Sequence, residues 1–149
     1  VIELQEIYDR TVTHLHAQGG PAFRDERKKE CAYRGRHDRR CAVGYWIPDE
    51  LYDPSMESHP LTLIGACAPQ GGRKLLLDVV RSAMGDSSNM EWAIYRDLLD
   101  SLQQAHDFSP STQDDAPMWI VPGGIVPSLR EIAERFKLDS SVVDRLFTW

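Results

Sequence analysis

The strongest constraint on how this chain folds is an amphipathic run that opens on its own cap. In Ser88-Asn89-Met90-Glu91 a hydroxyl precedes a carboxylate by three residues, the spacing at which each side chain satisfies a backbone N–H of the other. Behind that start, Met90, Ala93, Ile94, Leu98, Leu102 and Ala105 recur at helical spacing and predict a long helix with one apolar face. Such a face has to be covered by other elements, and the rest of the sequence offers partners of the same kind. Leu4, Ile7, Tyr8, Val12 and Leu15 form a second stripe, stopped at Gly19-Gly20-Pro21 by a left-handed cap and a residue that cannot continue the ladder. Leu75, Leu76, Val79, Val80, Ala83 and Met84 form a third, begun near Gly71-Gly72 and ended at Gly85. A further capping box, Ser128-Leu129-Arg130-Glu131 behind Pro127, opens a helix to about Lys137, and a last short helix is expected from Ser140 to Phe147. At 149 residues the chain has the usual size of one core and needs no staples to bury it.

One stretch breaks the helical pattern. Cys31-Ala32-Tyr33-Arg34-Gly35 and Cys41-Ala42-Val43-Gly44-Tyr45-Trp46-Ile47 are β-compatible runs on either side of a polar turn, Arg36-His37-Asp38-Arg39-Arg40. They predict a small hairpin that must pack on the helices, because two strands alone are barely stable. Consecutive turns follow from Pro48 to Pro54. The expected fold is therefore mainly α (α+β), a helical single domain over residues 1–149 with a small β-hairpin near residues 31–47. Residues 108–126, rich in Pro, Ser, Asp and Gly, read as a long irregular segment anchored at Met118-Trp119-Ile120-Val121. Connections of that length in a compact domain are functional or disordered.

Charge is divided unevenly along the chain. The net charge is −6, yet residues 24–40 hold eight of the 17 bases against four acids, leaving nine bases against 19 acids elsewhere. That division suits either a basic patch on an acidic body, seeking phosphate or acidic partners, or a solvated loop pairing internally with Asp25, Glu26 and Glu30. No run of 18 apolar residues exists, so no membrane span is expected. The acidic, amphipathic start lacks the layout of a signal peptide, and three cysteines suggest reduced thiols, so the expected location is the cytoplasm.

Each motif with chemical potential has a structural counterpart. Ile132-Ala133, Phe136, Leu138, Val143 and Leu146 match the apolar spacing of the helix-turn-helix of bacterial regulators, over residues 127–147. DNA reading there would fall to Lys137, Ser140, Ser141 and Arg145, against the repulsion of Asp139 and Asp144. Lys137 stands where that pattern usually has a turn glycine, and a plain packing corner gives the same spacing. Cys31 and Cys41, with nine residues between them in a C-x₉-C pattern that includes His37, lack the close pairs of a structural zinc site. His14 and His16 point to different sides of one helix, and Cys67 stands alone. No metal or cofactor is expected. Nucleophile-elbow, phosphate-loop and dinucleotide-binding patterns are missing, and His106-Asp107 fits a helix-end histidine as well as an acid–base pair, so the reading is not an enzyme.

Aromatic residues sit among the bases: Tyr33, Tyr45, Trp46 and Tyr52 surround the predicted hairpin. Tyr, Trp and Arg anchor protein interfaces, so Arg34, Arg36, Arg39, Arg40, Tyr45, Trp46 and Tyr52 are the candidate partner-binding residues. The same rings suit nucleobase stacking or a satellite core beneath the hairpin.

The run Cys31-x-Tyr33-Arg34-Gly35, Cys41-x-Val43-Gly44-x-x-Ile47-Pro48-Asp49, Tyr52 resembles a group of small bacteriophage and prophage proteins, as do Ile7-Tyr8-Asp9 and Leu102-Gln103-Gln104-Ala105-His106-Asp107. The resemblance is close in the first half and loose in the second, and it carries no functional residues with it. It implies a setting, that of a small accessory protein made by a phage or mobile element inside a bacterial cell. By analogy with compact acidic proteins of that setting, the expected function is to occupy a host or defence protein complex, as an anti-CRISPR-like inhibitor does. Nucleic acid is the alternative partner, disfavoured by the net charge, through the C-terminal helix-turn-helix.

Overall fold

A computed structural model describes residues 2–25, 30–57, 59–61, 70–85, 88–108 and 124–148. Among them the chain is mainly helical: α1 (Leu4–Gln18), α2 (Gly71–Ala83), α3 (Asn89–Phe108), α4 (Val126–Phe136) and α5 (Ser141–Leu146). One buried cluster joins all five, from Ile7, Tyr8 and Leu15 through Leu76, Leu98 and Leu129 to Val142 and Val143. No helix among the described residues is long and apolar enough to cross a membrane.

Local sequence explains the helix ends. Gly19 closes α1 in the left-handed region at φ 77, and its N–H returns to the Leu15 carbonyl. At the start of α3 the expected box forms: the Ser88 N–H donates to Glu91 Oε2 at 2.9 Å, and the Glu91 N–H to Ser88 Oγ at 3.2 Å. Lys137 supplies the left-handed cap of α4 at φ 56, and the Leu138 N–H reaches back to the Ala133 carbonyl at 2.8 Å. The missing glycine of the helix-turn-helix pattern is thus a lysine held in a glycine's conformation. The α4–α5 corner is then tied to α1: Gln5 donates to the Asp139 carbonyl at 2.9 Å and accepts from its N–H at 2.8 Å. Deeper in, the Tyr8 hydroxyl donates to the Leu129 carbonyl at 2.7 Å.

Three expectations need correction. First, no strand forms over residues 32–47; the segment is built of turns, with 3₁₀ turns at Arg36–Asp38 and Gly44–Trp46. His37 and Asp38 adopt positive φ, and Cys41, Ala42, Val43, Trp46 and Ile47 are all buried, which a strand's alternation would not allow. A short antiparallel pairing lies earlier, Phe23–Asp25 with Glu30–Cys31. Second, α3 is turned from the predicted stripe. Trp92, Tyr95, Leu98, Leu99, Leu102, Ala105 and His106 face inward, leaving Met90 78% and Ile94 42% exposed. The aromatic rings remove more surface from water than the aliphatic pair, so they set the rotation. Third, α4 starts at Val126, so Ser128 lies inside the first turn and caps nothing. Burial of Ile125 and Val126 draws the helix start back, with Pro127 in the first turn where its missing N–H costs nothing.

The 31–57 segment is fastened at both ends by close backbone approaches. A Cβ on Gly44 would stand 2.2 Å from the Tyr33 carbonyl oxygen, and one on Gly72 would stand 1.8 Å from that of Ser55. Glycine at these two places lets the 3₁₀ turns lie directly on their neighbours. Most of the irregular 108–126 segment, including Met118 to Val121, lies outside the described residues, as do the side chain of Cys31 and all of Cys67.

Candidate functional site

Arg34 organises the segment between residues 32 and 57. Its guanidinium donates to the carbonyls of Gly44 and Ile47, both at 2.6 Å, and to Asp49 Oδ1 at 3.1 Å. It lies over the Tyr52 ring at 5.0 Å. Glu57 completes the knot, accepting the N–H groups of Tyr33 and Arg34 and the Tyr52 hydroxyl. Burial lowers the Arg34 pKa, with the neighbouring Arg40 charge adding to the effect. Arg40 in turn pairs with Asp49 at 2.7 Å, and this hydrogen bond holds the exposed Asp49 carboxyl below its ordinary range.

Beside this knot, α1 and the Gly44–Trp46 turn build an aromatic–cation cluster. Trp46 is 5% exposed, and its Nε1–H donates at 2.9 Å to Thr11 Oγ1, which in turn donates a hydrogen bond to the Ile7 carbonyl. Tyr45 meets Trp46 edge-on at 5.1 Å and stacks on the His14 ring at 4.7 Å and 23°. Arg10, one turn before His14, covers the indole at 4.5 Å and donates Nε–H to the Tyr45 hydroxyl at 3.4 Å. His14 Nε2 lies 2.9 Å from the Arg40 carbonyl, and burial lowers its pKa, so at neutral pH the ring is neutral with Nε2–H as donor. A groove of about 300 Å³ runs along this edge, walled by Asp9, Arg10, Thr13, His14, Ala17 and Tyr45.

The predicted partner-binding residues therefore divide. Trp46 is buried, while Arg34 and Tyr52 are half-buried and bonded within the fold. Tyr45 is half-buried, Arg36 is exposed, and Arg39 and Arg40 are half-buried beside the C-terminal turns of α1. Arg39 donates to the Pro21 carbonyl at 3.4 Å, and the Arg40 N–H to Gln18 Oε1. Sequence reasoning missed Arg10 and the stacking role of His14. The available signal was their spacing of four on a helix whose other face is apolar.

At the C-terminus, Lys137, Ser141 and Arg145 are exposed and Ser140 is half-buried. Asp144 is paired with Arg130 at 2.5 Å, and α5 is six residues long with Val142 and Val143 turned into the core. His106 is not poised for proton transfer. Its Nε2 accepts the Ala22 N–H at 2.9 Å, which fixes the proton on Nδ1, donated to Asp107 at 2.8 Å. Cys41 is fully buried, and burial pushes its thiol pKa far up, the opposite of what a nucleophile needs. No group of three metal-ligating side chains occurs among the described residues. The chain matches no family model, no curated protein and no solved structure.

Proposed function

We propose that this protein is a non-enzymatic binding module that occupies a bacterial protein complex and inhibits a host defence assembly. One observation carries the reading. Tyr45 reaches the surface already fixed, stacked on His14, braced by buried Trp46 and bonded to Arg10. A half-exposed tyrosine and arginine held in one arrangement lose little entropy on contact, which is the property of an interface anchor. The groove beside Tyr45 forms the centre of the contact surface, with Arg10 in its wall and Arg40 next to His14, and the surface is proposed to extend to Arg36 and Arg39. The partner surface that fits is a convex one that enters the groove, with carboxylates opposite the guanidinium groups.

Affinity capture from bacterial lysate, with and without nuclease, tests this with wild type, Tyr45→Ala and Arg36→Ala/Arg39→Ala. A discrete partner retained in fixed stoichiometry is expected, with Tyr45→Ala weakening it about 30-fold, as truncated anchors do. Equal capture by a folded Tyr45→Ala variant refutes the anchor. Retention that disappears with nuclease, and with Arg145→Ala, transfers the function to the C-terminal helix pair and DNA.

A further inference from the structure

On the other side of the Arg34 knot lies a separate cavity of about 400 Å³, between the 57–61 stretch and the outer face of α3. Its lining is of two kinds. Tyr33, Cys41, Val43 and Leu61, all buried, make an apolar floor, and Phe108 stands at the rim with 82% of its surface exposed. Glu57, Asp100 and Asp107 make an acidic wall, with His59 beside Glu57 in the lining, and among the described residues no Lys or Arg lines the cavity. Each carboxylate is oriented by neutral donors: Asp107 by Gln103 and His106, Asp100 by Gln104, and Glu57 by two backbone N–H groups and the Tyr52 hydroxyl. None has a cationic partner among the described residues, since His106 is the neutral tautomer. Their negative field reaches the floor, where it adds to burial in raising the Tyr33 and Cys41 pKa values.

The floor makes a second, independent demand. Cys41 is fully buried against the cavity, and its sulfur already accepts the Gly44 N–H at 3.3 Å. The S–H itself has no acceptor among the described residues, which leaves a weak donor at the base of an apolar space. An aromatic face is the partner that suits such a thiol, and it also suits the Tyr33 and Phe108 rings.

The geometry points to a binding site for a small aromatic amine, with its ring on the Tyr33–Cys41–Val43 floor and its ammonium against the Asp100 and Asp107 carboxylates. A volume of this order holds a compact organic ligand, and an apolar pocket with a few convergent polar groups is the usual form of such a site. Neutral isosteres would forfeit the charge contact, and acids would be repelled by all three carboxylates. The site is distinct from the Tyr45 surface and stands or falls separately from it.

Calorimetric titration of the full chain with tryptamine at low ionic strength tests the inference, with tryptophol and indole-3-acetate as the neutral and anionic counterparts. Tryptamine is expected to bind in the millimolar range or tighter, and tryptophol about tenfold more weakly, the loss of one modest charge contact. Asp100→Asn, at a half-buried position whose carboxylate accepts from Gln104, is expected to keep the wild-type melting temperature and lose affinity by a similar factor. Phe108→Ala should weaken both tryptamine and tryptophol. Absence of tryptamine binding, equal binding of tryptophol, or undiminished binding by folded Asp100→Asn each overturns the site.

Discussion

Replacing Arg34 separates a structural tie from a contact residue. The side chain is 18% exposed and serves two backbone carbonyls at 2.6 Å, so its removal takes away two charge-assisted hydrogen bonds. Each is worth about 1.5 kcal/mol at the low end of the range, appropriate because the guanidinium is itself only partly buried. The Asp49 bond adds little, since that carboxylate is 68% exposed. Arg34→Ala should therefore cost about 3 kcal/mol, which in a chain of this length lowers the melting temperature by about 6–12 °C. Arg34→Lys retains the charge but not the planar fork, so it serves one carbonyl and recovers about half of that loss. Urea unfolding followed by the fluorescence of buried Trp46 and Trp92 gives both values. A stability for Arg34→Ala within about 0.5 kcal/mol of wild type would refute the tie, as would wild-type stability in Arg34→Lys. In the first case, lost partner capture by the folded variant would return Arg34 to the interface.

The remaining predictions address other parts of the fold. Gly44→Ala drives a Cβ to 2.2 Å from the Tyr33 carbonyl, a backbone atom that cannot swing aside, so a loss of about 2 kcal/mol or more is expected in the same unfolding assay. Lys137→Gly relieves a left-handed lysine and should stabilise by about 0.5–1 kcal/mol after the entropy of glycine is deducted; destabilisation would show that the lysine side chain contributes more than its strain costs. His14 has a lowered folded pKa, so the unfolded chain takes up the proton first and stability should fall as pH drops below about 6.5. His14→Gln should flatten that slope, and an unchanged slope assigns it to other groups. Cys41 should resist alkylation in the native protein and react on unfolding, as peptide mapping would reveal; rapid native labelling at Cys41 contradicts its burial.

Helix existence was legible in the sequence and the irregular segment was not, and the difference is physical. The stripe Ile7, Tyr8, Val12, Leu15 and the Ser88–Glu91 box are local signals: a cap needs residues three apart, and a stripe needs one face. The rotation of α3 is not local, because whether Ile94 or Tyr95 faces inward depends on what the other helices present. Residues 31–47 misled for a related reason. Their Val, Tyr and Trp suit a strand, but a strand would need the Gly44 and Ile47 carbonyls that Arg34 takes, and the competitor sits ten or more residues away. The same event decided the candidate site. A sequence cannot distinguish an arginine that satisfies buried carbonyls from one that waits for a partner, because both occur beside aromatic residues. Arg34 and Arg36, two residues apart, took opposite fates: one faces the turn and is consumed, the other faces outward. Arg10 and His14 were overlooked because helical charge reads as a solvated face, and only the stacking of Tyr45, more than 30 positions later, gives that face a shape. Interface anchors in a chain like this are therefore to be sought where a polar helical face meets the side chain of a distant turn, rather than where bases and rings are densest in sequence.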